Sequence, residues 1–299
     1  MDVSVILVSY NTKDLTRDCL NSIYKMTTGI DFDVYLVDNN SHDGSPEMIE
    51  QEFPHVHLIK NPDNKGFGAA NNIAIRESSA KYVFCLNTDT LLVNNAIKIL
   101  YDYMEANPNV GACGGQMYDK DMIPNNSVGN FPTIQRIFFQ FLGLNRIFKE
   151  YWDDKLTPGK AVNYTEPTEV DYIIGADLMM RKSVLDKVGL YDENIFLYGE
   201  ESDLCYRIKK DNYTVMFVPD SKIIHLQGGS SQNINSAQIL YTSLVYWYRK
   251  NISFGSCMLL QIFMCINFLF CFIFTSKKFY LELLKTFAQK LLKVSFKNT

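Results

Sequence analysis

Residues 3–8, VSVILV, are apolar or β-favouring at almost every position. Such a run with little alternation fits a strand buried on both faces. Over 13–26 the period changes, and Leu15, Cys19, Leu20 and Ile23 fall on one helical face. The two signals then alternate. Short apolar runs at 34–37, 56–59 and 81–86 predict strands, and 46–53, 68–78 and 94–105 predict helices. Ser45 is placed as an N-cap and Pro46 at the first helical position. This alternation, which runs to about residue 110, predicts an α/β fold. Its sheet is doubly wound and mostly parallel, flanked by helices, with right-handed crossovers. Sheets of this kind bind ligands beyond the carboxyl ends of their strands.

From 111 to 170 the pattern weakens. Gly111, Gly114, Gly115, Pro124, Pro132, Pro158 and Pro167 punctuate it, around one apolar helix candidate at 134–148. Structured patterning returns over 170–225. The last fifty residues, roughly, differ again. Residues 254–274 contain no charged side chain, a stretch long enough to cross a bilayer as a helix. Beyond it come Lys277, Lys278, Lys285, Lys290, Lys293 and Lys297 against one acid, Glu282. Tyr280, Leu284, Phe287, Leu291 and Val294 form a helical stripe among these lysines, the pattern of a membrane-surface helix.

Composition narrows the function. The chain has 299 residues, 47% of them hydrophobic, and a formal net charge of −4. No basic block interrupts the first 240 residues, so the charge pattern gives no support for nucleic acid as a partner, and none is expected. Seven cysteines occur without a C-x-x-C pair, several inside apolar runs. They are expected to be reduced, buried thiols of a cytosolic protein. Met1-Asp2 leads into the first strand with no leader pattern.

Four polar clusters carry candidate chemistry. The second strand empties into DNNSHDGS, where Asp38 and Asn39 suit either an Asx turn or the hydrogen-bonding edge of a ligand. NPDNKGFGAANN follows the third strand, with Gly66 and Gly68 opening a helix that could hold an anion on backbone N–H groups. It is not a dinucleotide fingerprint, since Asn71 stands where the third glycine belongs. The fourth strand delivers Asn87 and Asp89 two residues apart, so alternation points both side chains the same way. One carboxylate and an amide make a thin cation site unless substrate phosphates complete it. Helix capping by an Asx or Thr is the competing explanation there. Finally, Glu200, Glu201 and Asp203 crowd the start of a helix between apolar segments, and His225 ends an apolar strand. Carboxylates beside apolar groups or each other gain proton affinity, which suits a general base.

Together the motifs VSVILVSYN, VDNNSHDGS, NKGFGAANN with LNTDT, and GLYDENIFLYGEESDLCYR followed by HLQGGSS resemble those of the family 2 glycosyltransferases of GT-A fold, especially rhamnosyltransferase-like members. The resemblance covers residues 3–231. It implies a nucleotide-sugar-binding half over 1–110 and an acceptor-binding and catalytic half over 111–235; the apolar and lysine-rich patterns beyond them predict a helical membrane-associating region over 236–299. It places Val8, Ser9, Tyr10, Asp38 and Asn39 around the base and ribose of a nucleoside-diphosphate sugar. Asn64, Gly66, Phe67 and Asn71 would lie along the nucleotide and diphosphate. Asn87 and Thr88 stand beside Asp89 in the place of the family's D-x-D, with Asp89 and His225 as ligands of Mg²⁺ or Mn²⁺. Glu201 takes the position of the catalytic base, and Glu200 or Asp203 could share that role. By the same resemblance, Asp203 and Arg207 would shape the helix and site. Two departures are plain: Asn87 replaces the first Asp of D-x-D, and Glu201 replaces the usual Asp base.

The implied reaction is a single displacement that inverts the anomeric centre, with a glycan or lipid-linked glycan as acceptor. A cytosolic enzyme with a single crossing helix would put its lysine-rich tail outside, against the positive-inside rule. The expectation is therefore peripheral or monotopic attachment to the cytoplasmic face of the inner membrane, with a single crossing and a soluble oligomerisation helix as the alternatives. A catalytically silent nucleotide-sugar binder is the first alternative, and a nucleotide-dependent oxidoreductase the second.

Overall fold

The computed structural model describes residues 1–134, 136, 164–226 and 234–295. The strands are β1 (Val3–Ser9), β2 (Phe32–Asp38), β3 (His57–Lys60), β4 (Tyr82–Asn87), β5 (Thr90–Leu92), β6 (Val110–Tyr118), β7 (Val128–Gly129), β8 (Thr168–Glu169), β9 (Tyr172–Ile173), β10 (Asp177–Arg181) and β11 (Thr214–His225). The helices are α1 (Lys13–Met26), α2 (Ser45–Glu52), α3 (Phe67–Glu77), α4 (Ala96–Ala106), α5 (Lys182–Val188), α6 (Glu200–Lys210), α7 (Ile234–Asn251), α8 (Phe254–Thr275) and α9 (Lys278–Ser295). These residues divide into two compact units. One holds the sheets and α1–α6, and the other holds α7–α9 with Leu197–Gly199.

The main sheet runs in the order β3-β2-β1-β4-β10-β6-β11-β5, with β8 added beside β11. Its first half is parallel, β3 to β2, β2 to β1 and β1 to β4. The second half is mixed, because β10 enters antiparallel to both β4 and β6 while β6 and β11 pair parallel. The expected doubly wound sheet is therefore parallel in its amino-terminal half and mixed beyond it.

Alternation along the strands feeds two cores. Val3, Val5 and Leu7 of β1 join Leu20 and Ile23 of α1 and Ile97 and Leu100 of α4 on one face. Ile6 joins Ala70 and Ala74 of α3 and Leu204 and Ile208 of α6 on the other. Each face buries aliphatic side chains completely, at roughly 1.5–3 kcal/mol apiece. This two-sided burial explains the unbroken apolar run in β1.

Three local expectations change. The glycine-punctuated stretch after residue 110 is not irregular; Val110–Tyr118 is a central strand, buried almost throughout. A Cβ on Gly114 would sit 2.2 Å from the Asp177 carbonyl, and one on Gly115 2.4 Å from that of Ser221. Glycine is required there because neighbouring backbones come too close for any side chain. Second, the helix expected over 94–105 starts at Ala96, since Thr90–Leu92 pairs with β11 first. The Asn95 amide donates to the Thr28 carbonyl at 2.9 Å instead of capping α4. Third, Ser45 is the first residue of α2 and not its cap. Gly44 holds the cap position with φ 82°, and Ser45 N and Oγ both donate to Asp43 Oδ1. The helix candidate at 134–148 lies outside the described residues apart from Ile134 and Arg136.

In the second unit, Ser253 Oγ accepts from Ser256 N at 3.1 Å to cap α8. Ser276, at φ 54°, ends α8 and leaves only Lys277 before α9. Phe268 of α8 and Phe287 of α9 lie 5.9 Å apart, and both pack on Tyr241 of α7.

Candidate active site

The parallel register aligns Ser9 of β1 with Asp38 of β2, and Val8 with Asn87 of β4. Three strand ends thus open on one edge. Asp38 is buried, and its Oδ2 accepts from Ser41 N at 2.9 Å, closing a turn three residues on. Its Oδ1 is buried with no partner in the protein. The turn and the ligand interpretations of this stretch are therefore compatible: one carboxylate oxygen makes the turn, and the other is spare. A spare buried acceptor is costly unless something donates to it.

Asn39 ties the next loop in place. Its Oδ1 accepts from Asn61 Nδ2 at 2.8 Å, and its Nδ2 donates to the Gly66 carbonyl at 3.2 Å and to Asn64 Oδ1 at 3.3 Å. Asn64 Oδ1 also accepts from Gly66 N at 3.0 Å. Gly66 adopts φ 84° and ψ 176°, a region open essentially to glycine alone. Phe67 N then donates to the Phe196 carbonyl, and α3 begins. Asn71 Nδ2 donates back to the Phe67 carbonyl at 2.9 Å, while its buried Oδ1 has no partner. Tyr10 stands half exposed above the end of β1.

The sequence alone did not indicate a hydroxyl network beneath these loops. Thr12 Oγ1 lies within 3.2 Å of the hydroxyls of Ser9, Thr16 and Thr88. It pins the link between β4 and β5 against β1, and Thr90 Oγ1 donates to the Asn87 carbonyl at 2.7 Å. The chain turns at Thr88 and Asp89, so strand alternation does not set the directions of the Asn87 and Asp89 side chains. Only Asn87 belongs to the strand.

β11 brings His225 to Asp89 from far along the chain. His225 pairs in register with Thr90, and Leu226 N donates to the Asp89 carbonyl at 2.9 Å. Asp89 Oδ1 and His225 Nε2 are 3.2 Å apart, with both side chains mostly buried. Among the described residues there is no cluster of three or more His, Cys, Asp or Glu able to hold a metal. A carboxylate and an imidazole fit a divalent cation whose other positions are filled by substrate oxygens and water.

The acids of α6 separate into distinct roles. Asp203 is fully buried, with Oδ2 accepting from Arg207 Nε at 2.9 Å. Arg207 also donates to the carbonyls of Val188, Gly189 and Leu190, which locks α6 to the end of α5. Glu200 is 4% exposed and packs on the start of α3, where a methyl on Gly68 would lie 3.6 Å from its Cβ. Burial, and then the charge of Glu201, push its carboxyl well above the usual range. Glu200 Oε2 has no partner. Glu201 is half-buried. A Cβ placed on Gly175 would lie 3.7 Å from both Glu201 Cβ and Phe67 Cε1, so the bare glycine leaves open the space where the two meet.

A further acid went unnoticed in the sequence. Asp177, in the apolar run of β10, is fully buried and accepts from Gly115 N at 2.8 Å through Oδ2. Burial raises its carboxyl to about 7, against the pull of the Gly115 N–H and of His225. Its signal was a lone charge amid residues 176–180, ADLMM. The cysteines are all free, five of them buried.

Known proteins similar to this chain identify its family and fold. The family model described as Glycosyl transferase family 2 matches residues 4–189, more than half of the chain. An N-acetylglucosaminyl-diphospho-decaprenol L-rhamnosyltransferase of Mycobacterium tuberculosis is 27% identical over 241 residues, covering 76% of each chain. A dTDP-rhamnosyl transferase, RfbF, of Shigella flexneri is 25% identical over 257 residues, 85% of this chain and 79% of that one. Among solved structures, a mannosyltransferase from Pyrobaculum calidifontis in complex with GDP-Man and Mn²⁺ superposes with a TM-score of 0.58. At 18% identity, over 97% of this chain and 80% of that one, it shares the fold.

Proposed function

The chain belongs to glycosyl transferase family 2 and is a glycosyltransferase; from that premise we propose that it is an inverting, metal-dependent enzyme moving rhamnose or a related sugar from a nucleoside-diphosphate donor to a hydroxyl of a polyprenyl-linked or growing surface glycan. The observation that carries this is the Asp89–His225 pair, 3.2 Å apart at the same sheet edge as the spare Asp38 oxygen. The rhamnosyltransferase relatives and the decaprenol-linked acceptor in one relative's name support the choice of donor and acceptor class.

The residues divide the work. Asp38 Oδ1 accepts from the base or ribose, beside Val8, Ser9, Tyr10 and Asn39. Asn64, Gly66, Phe67 and Asn71 line the path of the diphosphate, with Asn87 and Thr88 at its end. Asp89 and His225 would hold the divalent cation, Mg²⁺ or Mn²⁺, which when bound would supply positive charge toward the leaving diphosphate. Glu201 takes the proton of the acceptor hydroxyl as the new bond forms. Burial raises the proton affinity of Glu200, which disfavours a second negative charge beside Glu201. Asp203 acts through Arg207, holding α6 so that Glu201 stays in place. The donor is cytosolic, so the acceptor is met at the cytoplasmic face of the membrane.

A thermal-shift screen of dTDP-, UDP- and GDP-sugars with and without Mn²⁺ tests the assignment. Stabilisation by one sugar nucleotide that needs the cation, and that is lost in Asp89→Ala, is expected. Donor binding without transfer to any lipid-linked acceptor would instead make the chain a silent binder, with the Glu at position 201 as the cause.

A further inference from the structure

α8 presents two unlike sides. Cys257, Leu260, Gln261, Met264 and Phe268 are buried inside the helical unit. On the opposite side Leu259, Ile262, Ile266, Leu269, Phe270 and Ile273 are 41–63% exposed. These six positions fall within an arc of about 100° and extend along roughly 21 Å of helix. No polar residue interrupts the arc. An exposed apolar strip of that size marks an interaction surface.

Two features choose a lipid leaflet over a second copy of this chain. Lys277, Lys278 and Lys285 are exposed at the turn and along α9, and Lys290 and Lys293 follow in the same helix against the single acid Glu282. Lysine is depleted in protein interfaces but favoured beside anionic headgroups. The packing of the unit also decides how the helix meets the bilayer. With only Ser276 and Lys277 between them and Phe268 against Phe287, α8 and α9 form an antiparallel hairpin. Gln238 of α7 donates to Thr286 of α9, so α7 is held alongside. If α8 crossed the membrane, α9 would be carried through the hydrocarbon with Glu282 and Lys285, where charges are strongly disfavoured.

We propose that the outward strip of α8 beds into an anionic leaflet with the helix axis in the membrane plane, and that α8 does not cross. This deepens, and rests on, the assignment of a lipid-linked acceptor, because it supplies the surface on which that acceptor is met. α9 contributes its lysines to the headgroups, and the covered side of α8 stays packed on Tyr241 and Phe287.

The test uses the full chain and flotation with vesicles of phosphatidylglycerol and phosphatidylethanolamine, against phosphatidylcholine alone. Binding to the anionic vesicles is expected. It should weaken about fivefold for each of Lys278→Gln and Lys285→Gln. Ile262→Glu with Ile266→Glu should lower it about tenfold or more. Both sites are exposed, so the fold should survive; Ile262→Gln with Ile266→Gln repeats the test if the Glu pair misfolds. Orientation comes from Ile266→Trp, near the middle of α8, and Ile273→Trp, near its end, using lipids brominated near the headgroup or near the chain end. In-plane binding gives both positions the same shallow quenching. Unequal depths would show a crossing and overturn the proposal. So would failure of the unmodified chain to float with anionic vesicles, or a dimer in solution that the Glu pair splits. Sugar-nucleotide binding is followed in parallel by thermal shift: its loss with flotation intact defeats the transferase assignment alone, and the reverse defeats the leaflet alone.

Discussion

Replacing Gly66 by Ala should damage both stability and donor binding. Gly66 has φ 84° and ψ 176°, and a Cβ there would lie 2.4 Å from the Phe196 carbonyl and 2.8 Å from Phe196 Cδ2. The backbone conformation alone disfavours alanine by about 1–3 kcal/mol. Relieving the contact displaces residues 195–196 or the start of α3, an overpacking effect of roughly 1–3 kcal/mol. The Phe67 N–H to Phe196 carbonyl bond at 3.1 Å lies in the path of that shift. The sum is on the order of 2–6 kcal/mol. Urea unfolding followed by circular dichroism measures it, with Gly68→Ala as the control. In that control the new methyl lies 3.1 Å from Tyr191 Cβ, in a helical residue, so a few tenths of an ångström relieve it. Gly66→Ala should also weaken sugar-nucleotide affinity, because Asn39 holds the Gly66 carbonyl and Asn64 holds its N–H. If Gly66→Ala unfolds within about 0.5 kcal/mol of the unmodified chain, the size of an ordinary surface change, the turn assigned here is wrong.

Other outcomes follow from the site. Asp38→Ala should lose donor affinity, measured by calorimetry; unchanged affinity would leave the Asp38 stretch as a turn and nothing more. Glu201→Gln should keep donor affinity while turnover falls about a hundredfold or more, and Glu201→Asp should retain part of the activity. Near-normal turnover in Glu201→Gln would move the base elsewhere in α6. Calorimetry on Asp89→Ala and His225→Ala should show weakened Mn²⁺-dependent donor binding, and unchanged binding in both would remove the cation from this pair. Asp177 gives a pH effect. Its carboxyl, raised to about 7 in the folded chain, keeps a proton that the unfolded chain releases near pH 4. Stability should therefore fall as pH rises through that window, by at most on the order of 4 kcal/mol. Asp177→Asn should flatten the fall, and an unchanged pH profile of unfolding in that variant would refute the assignment.

Sequence periodicity determined the first half of the fold because its signals are local. A strand buried on both faces must be apolar at every position, and the VSVILV of β1 is; α1 matches its expected span, Lys13–Met26, because one face carries Cys19, Leu20 and Ile23. The family motifs were legible for the same reason: each sits on one strand end or one helix start. The tertiary structure alone decided what depends on distant backbones. β6 looked irregular because glycines disfavour strands, yet Gly114 and Gly115 are there to admit the backbones of Asp177 and Ser221. The Asp89–His225 pair exists because β11 closes on β5 across more than a hundred residues of chain. Thr12 joined the site only when β1 and β4 were placed side by side. The alkyl stretch 254–274 had length and hydropathy enough to cross a bilayer. Which of its sides the neighbouring helices cover is a property of packing, which no one-dimensional pattern contains.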